Sequence, residues 1–439
     1  MIWTTSADQP CPAAADLLWP TLERLFHGSL PVRLRAWDGS EIGPPDRPAV
    51  IVHDRRTARR LLRQPHELGL ARAYIAGELD VDGDLTDCLR LVWQAAREHG
   101  LTDGRRPPGR WVSAAGAAAR LGVVRLPPRP PASEARTSGQ AHAGRQDPVP
   151  MTRLDDLRPE FCQLILGPQL ACSPALWAPR SRDLAGAQLA ALDVLCARLR
   201  LRPGTRLLDV GCGWGALAIH AARDFGALVT AVTRSASQAA FVERRAAELG
   251  LRSHLTVRLL DWTEISEPPQ DAVAIEFGEQ IGDPDFATCC DQLGGQLAPG
   301  GRLVMRQMSR GAPELGRSAF IDRYIAPDLH MRPVGETISR LERSGLEISD
   351  FTAMRQDFTR TVRAWSRNLE RRWDEAVTLA GAESARTWQL CLAGLALAFE
   401  EGRLGIYQVV AAAHTARPAR GGPAGSRPAG AHAAAARSA

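Results

Sequence analysis

The chain contains no lysine: all 54 of its basic residues are arginine, set against 49 aspartates and glutamates for a net charge of +5. Arginine grips phosphate better than lysine does, but its exclusive use reads as genome composition rather than as a binding signature. A net charge this modest argues against a nucleic-acid partner. Paired cysteine spacings are missing too. The nine cysteines are scattered, and Cys289 and Cys290 are adjacent, which matches neither a disulfide framework nor a zinc site. A reduced, cytoplasmic protein without a metal is expected. No apolar run reaches the ~18 residues of a membrane span, and the N-terminus lacks the charged-then-apolar pattern of a secretory signal. Contact with a membrane is therefore expected only at its inner surface, as a peripheral protein.

What the chain does have is length and a core. Its 439 residues call for two or three domains, and 45% of them are hydrophobic. Residues 15–103 read as a small α+β domain, with short strands over 31–52 around the turn Asp38-Gly39 and a helix from about Thr57 to Arg63. That helix region carries Arg55, Arg56, Arg59, Arg60 and Arg63, either as a solvated face or as a patch for anionic lipid head groups. Asp80, Asp82 and Asp84 are spaced like the start of a calcium loop, but no glutamate stands at the twelfth position, so calcium is not expected. Residues 104–150 are rich in Pro, Arg, Ala, Gly and Ser and read as a flexible linker, with a turn or two of helix over Ala114–Leu121. The low-complexity tail 416–439 is expected to be disordered.

Residues 151–415 alternate strands with helical segments. Strands are expected over Arg206–Val210, Ala227–Thr233, Leu255–Asp261, Asp271–Phe277 and Arg302–Met308, which makes a parallel α/β sheet of Rossmann-like type with ligands at the carboxyl ends of its strands. The centre is RLLDVGCGWGALA, Arg206–Ala218: a buried strand, a glycine turn through Gly211, Gly213 and Gly215, and a helix N-terminus suited to a carboxylate or phosphate. Nicotinamide and S-adenosylmethionine (SAM) folds both use such a turn. A nicotinamide fold should end its second strand in Asp or Glu, whereas here that strand is followed by Arg234, Ser235 and Gln238.

The run LLDVGCGWGALA followed by AVTRSASQ resembles the cyclopropane-fatty-acyl-phospholipid and mycolic acid cyclopropane synthase family of SAM methyltransferases. Trp214 and the Thr-x-Ser-x-x-Gln after the second strand carry that resemblance more than the glycines do. The stretch Gly69–Leu85 is similar to the N-terminal domain of long bacterial members. The lead-in Asp156–Trp177 agrees with the family at Asp156, Phe161, Leu166, Gly167, Pro168, Ser173, Ala175 and Trp177. Ala274–Gly282, AIEFGEQIG, keeps Glu276 and Glu279, and Asp357–Trp365 and Gly394–Val410 resemble the closing segments. The resemblance implies a class I SAM methyltransferase sheet. It also implies a cofactor held by Ser173, Asp209, Gly211, Gly213, Gly215, Thr233, Ser235, Gln238, Asp261 and Trp262; a core residue is the alternative for Trp262, and the resemblance favours an aromatic face for adenine.

Around the reacting carbon the chain departs from the family. The family's His-Tyr pair falls on Leu154 and Asp155, its tyrosine before the serine on Cys172, its active-site cysteine on Pro174, a His or Gln on Arg306, a tyrosine on Phe358 and a frequent cysteine on Leu395. Family members methylate an alkene and then remove a proton from the new methyl group, with a base thought to be bicarbonate held by a glutamate, a cysteine backbone, a histidine and a tyrosine. Of these only Glu279 is kept. Glu279 and Arg306 are the catalytic candidates, with SAM as cofactor and bicarbonate as a second one if an anion site is rebuilt around Arg306; Glu279 as a buried carboxylate merely satisfied by Arg306 or backbone N–H groups is the alternative. The expected activity is cyclopropanation or methyl branching of unsaturated phospholipid acyl chains. Another lipid-like or secondary-metabolite acceptor, and a weakly catalytic SAM- or lipid-binding homologue, stay open, as does the oligomeric state, a homodimer included.

Overall fold

The computed structural model describes residues 13–26, 28–64, 66–99, 128–134, 157–179, 181–311, 318–327 and 329–415. The helix expected over Ala114–Leu121 and the tail 416–439 lie outside them. Two sheets organise the described chain. The smaller runs β2-β1-β3-β4, with β1 at Arg33–Arg35, β2 at Glu41–Ile42, β3 at Ala49–Val52 and β4 at Leu79–Asp82. β1 is parallel to β3, while β2 and β4 join antiparallel.

The arginine-rich helix starts at Arg55, two residues earlier than expected, because Asp54 caps it by accepting from the N–H groups of Arg56 and Thr57 at 2.8 and 2.9 Å. Arg60 does not belong to an exposed patch. It is 2% exposed and paired through two nitrogens with Glu78 at 2.7 and 2.9 Å. Among the described side chains of this helix, Arg55–Arg63, Arg55 and Arg56 are exposed and Arg59 is half-buried. The three aspartates also have structural partners. Asp80 pairs with Arg386, Asp82 with Arg35, and Asp84 caps the helix Leu85–Glu98.

The larger sheet runs β10-β11-β9-β8-β5-β6-β7. Its strands are β5 (Arg206–Val210), β6 (Leu228–Thr233), β7 (Leu255–Leu259), β8 (Gln270–Ile275), β9 (Leu297–Arg310), β10 (Leu346–Ala353) and β11 (Leu404–Ala413). β7, β6, β5, β8 and β9 are mutually parallel, and β11 runs antiparallel between β9 and β10. Helices cover both faces of the central strand, so Leu207, Leu208 and Val210 are all buried and the strand is a continuous apolar run. β9 is longer than the expected Arg302–Met308 because it pairs with β8 along its first half and with β11 as far as Arg310.

The two sheets are joined through helices. Tyr74, on the helix Glu67–Ile75, donates to Gln389 on the helix Ala382–Glu400 at 2.6 Å, and Arg386 lies over the Tyr74 ring while donating to the carbonyls of Tyr74 and Leu79. The described part of the expected linker, 128–134, is held at several points: the Arg129 carbonyl accepts from Arg60 at 3.2 Å and the Ser133 N–H donates to Glu383 at 3.0 Å. Within 128–134, Glu134 accepts from Arg72 at 2.7 and 2.5 Å and from Tyr324 at 2.9 Å, so it bridges the N-terminal helices and the segment that follows β9.

Candidate active site

The central strand β5 delivers its glycine turn to the carboxyl edge of the sheet, and the three glycines do different work. All have positive φ, at 78°, 53° and 81° for Gly211, Gly213 and Gly215. A Cβ on Gly211 would meet the Phe277 ring at 2.4 Å, and one on Gly215 would meet Val242 at 2.8 Å, so these two permit close packing. Gly213 faces nothing within 4 Å and is the open member of the turn. Trp214 is buried behind it, edge-on to Phe241.

The next two strand ends flank this opening. After β6, Thr233 donates to Gln238 at 2.7 Å and accepts from the Ser235 N–H, and Ser235 caps the helix Ala236–Glu248. Gln238 is thereby drawn into the protein, its side-chain oxygen taken by Thr233. After β7, Asp261 and Glu264 form a capping box around the single turn Trp262–Glu264. Trp262 is half-buried against the apolar cluster of Val210, Val232 and Ile265, so the core alternative accounts for part of its surface.

Beyond β8 stand the acidic groups. The register pairs Ile275 with Met305, so Glu276 lies across from Arg306 on the neighbouring strand. Arg306 Nη1 donates to Glu276 and to Ser173 Oγ, each at 3.1 Å, and Ser173 in turn donates to Glu276 at 3.1 Å. Arg306 Nε donates to Gln408 at 2.8 Å and Nη2 to the Ala191 carbonyl at 3.4 Å. Of the two ways of satisfying Glu279 held open above, Arg306 is excluded and backbone N–H groups are present, because strand register brings Glu276 opposite the guanidinium while Glu279 sits on the following turn, Gly278–Gln280.

Glu279 is 7% exposed, and among the described residues its Oε2 has no hydrogen-bond partner. Burial raises its carboxyl to about 7 and nearby Glu276 adds to the rise, while the backbone N–H groups of Glu279 and Met308 and the charge of Arg332 oppose it. Asp209, on β5, is raised to about 8 by burial and by Glu276, against one N–H bond from Ala218. Three carboxylates therefore line this edge, and Arg306 neutralises only the middle one.

Nothing in the sequence singled out Arg332. It is almost fully buried and donates to the carbonyls of Gly278, at 2.7 Å, and Ile281, and to Asp283, with its guanidinium 3.9 Å from the Phe286 ring centroid. The His330 N–H adds a bond to the Glu279 carbonyl at 2.7 Å. Together they clamp the turn that carries Glu279.

The lead-in segment is locked as firmly. Thr361 accepts from the Ala175 N–H and from Trp177 Nε1, both at 3.1 Å, and Asp357 accepts from the Trp177 N–H at 3.0 Å. These bonds pin Pro174 beside the helix Arg355–Arg371, whose Phe358 is buried edge-on to Trp365 and Phe399. Phe358 and Trp214 share one apolar cluster, and Met308, beside Glu279, packs against it.

Residues 148–409 match the family model described as mycolic acid cyclopropane synthetase. A probable fatty acid methyltransferase of Pseudomonas putida is 30% identical over 410 residues, covering 89% of this chain and 93% of that protein. A second probable fatty acid methyltransferase, from Mycobacterium tuberculosis, is 32% identical over 403 residues, covering 88% and 91%. Both alignments run well beyond the family model. Among solved structures, the cyclopropane synthase MmaA2 from Mycobacterium tuberculosis superposes with a TM-score of 0.56 at 25% identity, over 59% of this chain and 95% of that one. An open glycine turn at the head of the central strand, in a seven-stranded sheet whose one reversed strand lies next to the edge, therefore belongs here to a SAM-dependent methyltransferase of the mycolic acid cyclopropane synthetase family.

Proposed function

We propose that the protein alkylates the double bond of an unsaturated fatty acyl chain carried on phospholipid, with a cyclopropane or a one-carbon branch as product. One observation carries this reading: the open Gly213 turn and the buried Glu279 carboxylate share the carboxyl edge of the sheet, both bordering the apolar cluster of Trp214, Met308 and Phe358. Bound SAM supplies an electrophilic methyl group, and an alkene, a poor nucleophile, needs a dry pocket to meet it.

In this reading the Gly211–Gly215 turn, with Asp209 beneath it and Ser173 beside it, holds the amino-acid end of SAM. Thr233, Ser235 and Gln238 lie towards the ribose, and Asp261 and Trp262 towards the base. Glu276 and Arg306 keep Ser173 in place. The phospholipid is met at a membrane surface from the cytoplasmic side, with Arg55 and Arg56 as exposed basic residues of the helix Arg55–Arg63. No helix among the described residues is long and apolar enough to cross a membrane.

The test is mass spectrometry of lipids from cells with and without the expressed protein. A gain of one CH2 unit on unsaturated acyl chains is expected, and unchanged chains alongside intact SAM binding would refute the activity. That refuting outcome would favour the second reading, a weakly catalytic SAM- or lipid-binding homologue, for which Pro174 and Phe358 speak. A CH2 gain on a different metabolite would keep the chemistry and replace the acceptor.

A further inference from the structure

We infer that this protein works without bicarbonate and that the Glu279 carboxylate itself takes the proton from the methylated substrate. The inference rests on the alkene-methylase reading above and concerns only its second half, the fate of the cation.

Holding a bicarbonate beside Glu279 takes hydrogen-bond donors and a positive charge; the indole N–H groups of Trp214 and Trp365 are buried without partners among the described residues but carry no charge, and the other candidates are used or lost. Proline at 174 has no N–H to offer. Phe358 has a ring where a hydroxyl would be needed, and that ring is packed against Trp365 and Phe399. Among the described residues Arg306 is the cation standing at the family's His or Gln position, but four of its five N–H groups already have protein acceptors in Gln408, Ser173, Glu276 and Ala191. Its charge is also countered by Glu276. A second anion placed here would face Glu276 and Glu279, with Asp209 behind them and no unmatched positive charge in contact. Arg332, the buried cation on the other side of the Glu279 turn, is spent on Gly278, Ile281 and Asp283. The donor set does not fit an anion.

It does fit a built-in base. Glu279 has a buried oxygen with no partner among the described residues, on a turn fixed by Arg332 and by the His330 N–H. A proton acceptor needs such a free lone pair held in place. The groups facing it are Glu276 and Arg332, with backbone N–H groups of Glu279 and Met308, and burial raises its carboxyl to about 7, suited to proton transfer near neutrality. Arg332 acts here as a positioning residue.

The step balances. Methyl transfer forms a bond to one alkene carbon and leaves the neighbouring carbon cationic. Glu279 then takes a proton from the new methyl group, and the electron pair of that C–H bond closes the three-membered ring. If a hydride first shifts to the cationic carbon, the same proton loss gives an exomethylene branch. Either way the glutamic acid returns its proton to water, and no oxidant or reductant is consumed. A saturated methyl branch would need a reductant and is not a product of this site.

The experiment has two independent arms. In the first, 13C-labelled bicarbonate is titrated by NMR into wild type and Glu279→Gln, each loaded with S-adenosylhomocysteine. No saturable binding is expected in either; saturable binding to wild type that Glu279→Gln loses would overturn the inference whatever the acceptor lipid is. In the second, turnover on vesicles of a mono-unsaturated phosphatidylglycerol is compared in carbonate-free and bicarbonate-supplemented buffer. Wild-type turnover should agree within about twofold, and Glu279→Gln should lose about 10²–10⁴-fold, the usual worth of a general base, while its calorimetric affinity for S-adenosylhomocysteine stays unchanged. Turnover that collapses without bicarbonate and returns with it, or full activity in Glu279→Gln, would overturn the inference while leaving the alkene methylase standing. No product on any unsaturated lipid would instead fail the activity reading, and the binding arm would still decide whether an anion site exists.

Discussion

Glu279 carries two opposed pH dependences. Its carboxyl is raised from an ordinary 4.5 to about 7 in the folded protein, so the native state binds the extra proton more tightly than the unfolded chain does. The stability linked to that proton is fully present below about pH 4.5, falls as pH rises towards 7, and is flat above it. A shift of one unit corresponds to about 1.4 kcal/mol, which makes the contribution on the order of 3 kcal/mol at most. Glu279→Gln removes the titration. It should be more stable than wild type at pH 8 and lose that advantage near pH 5, as read by urea unfolding at the two pH values; an equal difference at both would mean that the carboxylate is not buried charged. Activity should run the other way and rise through about pH 7, because a proton acceptor works only when ionised. The glycine turn offers a second separation. Gly213→Ala should cost only the ~1 kcal/mol of a side chain at positive φ and yet weaken S-adenosylhomocysteine binding at least tenfold. Gly211→Ala, whose Cβ would run into Phe277, should instead lower the melting temperature. The reverse pattern would reassign the open position.

The turn Gly278–Gln280 is too short to hold itself, and its rigidity comes from Arg332 outside it. Arg332→Met would take the guanidinium from the Ile281 carbonyl, at about 1–3 kcal/mol for an unsatisfied group, and leave the Gly278 carbonyl with only the Ile281 N–H at 3.3 Å. Arg332→Lys restores charge but not the planar fork. Both variants should lower kcat and shift the pH profile of turnover, with Lys the milder, while S-adenosylhomocysteine affinity changes little. An unchanged profile in both would confine Arg332 to a structural role. Strand elements behaved more simply. The core of each expected parallel strand was legible because continuous apolar runs mark strands covered on both faces, and only their ends moved, by the pairings each strand makes.

For the molecule as a whole, Glu134 is the point where a stretch expected to be linker becomes a strap. Its carboxylate is almost fully buried between Arg72 and Tyr324, and burial, the largest influence on it, is outweighed by hydrogen bonds from those two groups, so its net shift is downward. Glu134→Ala would take the carboxylate from between Arg72 and Tyr324, leaving the guanidinium without its counter-charge there and with only neutral partners such as Gln64. Removing one partner of a buried pair typically costs about 3–5 kcal/mol. Thermal unfolding should show a drop of several degrees, with tryptophan fluorescence and far-UV dichroism no longer changing together. A coincident, unshifted transition would show that the strap carries no load.

The amino-acid sequence by itself determined the strand, glycine turn and helix at Arg206–Ala218, the alternation that builds a parallel sheet, and the family, because these are written in local spacing and residue type. Only the tertiary structure decided which carboxylate Arg306 serves, since that depends on the register of β8 against β9. It also decided that Arg60 turns inward to Glu78, that Arg332 clamps a turn some fifty residues earlier in the chain, and that Glu134 docks. An arginine's charge is visible in one dimension, but its partner is chosen by which segments the fold brings together and by how little water is left between them.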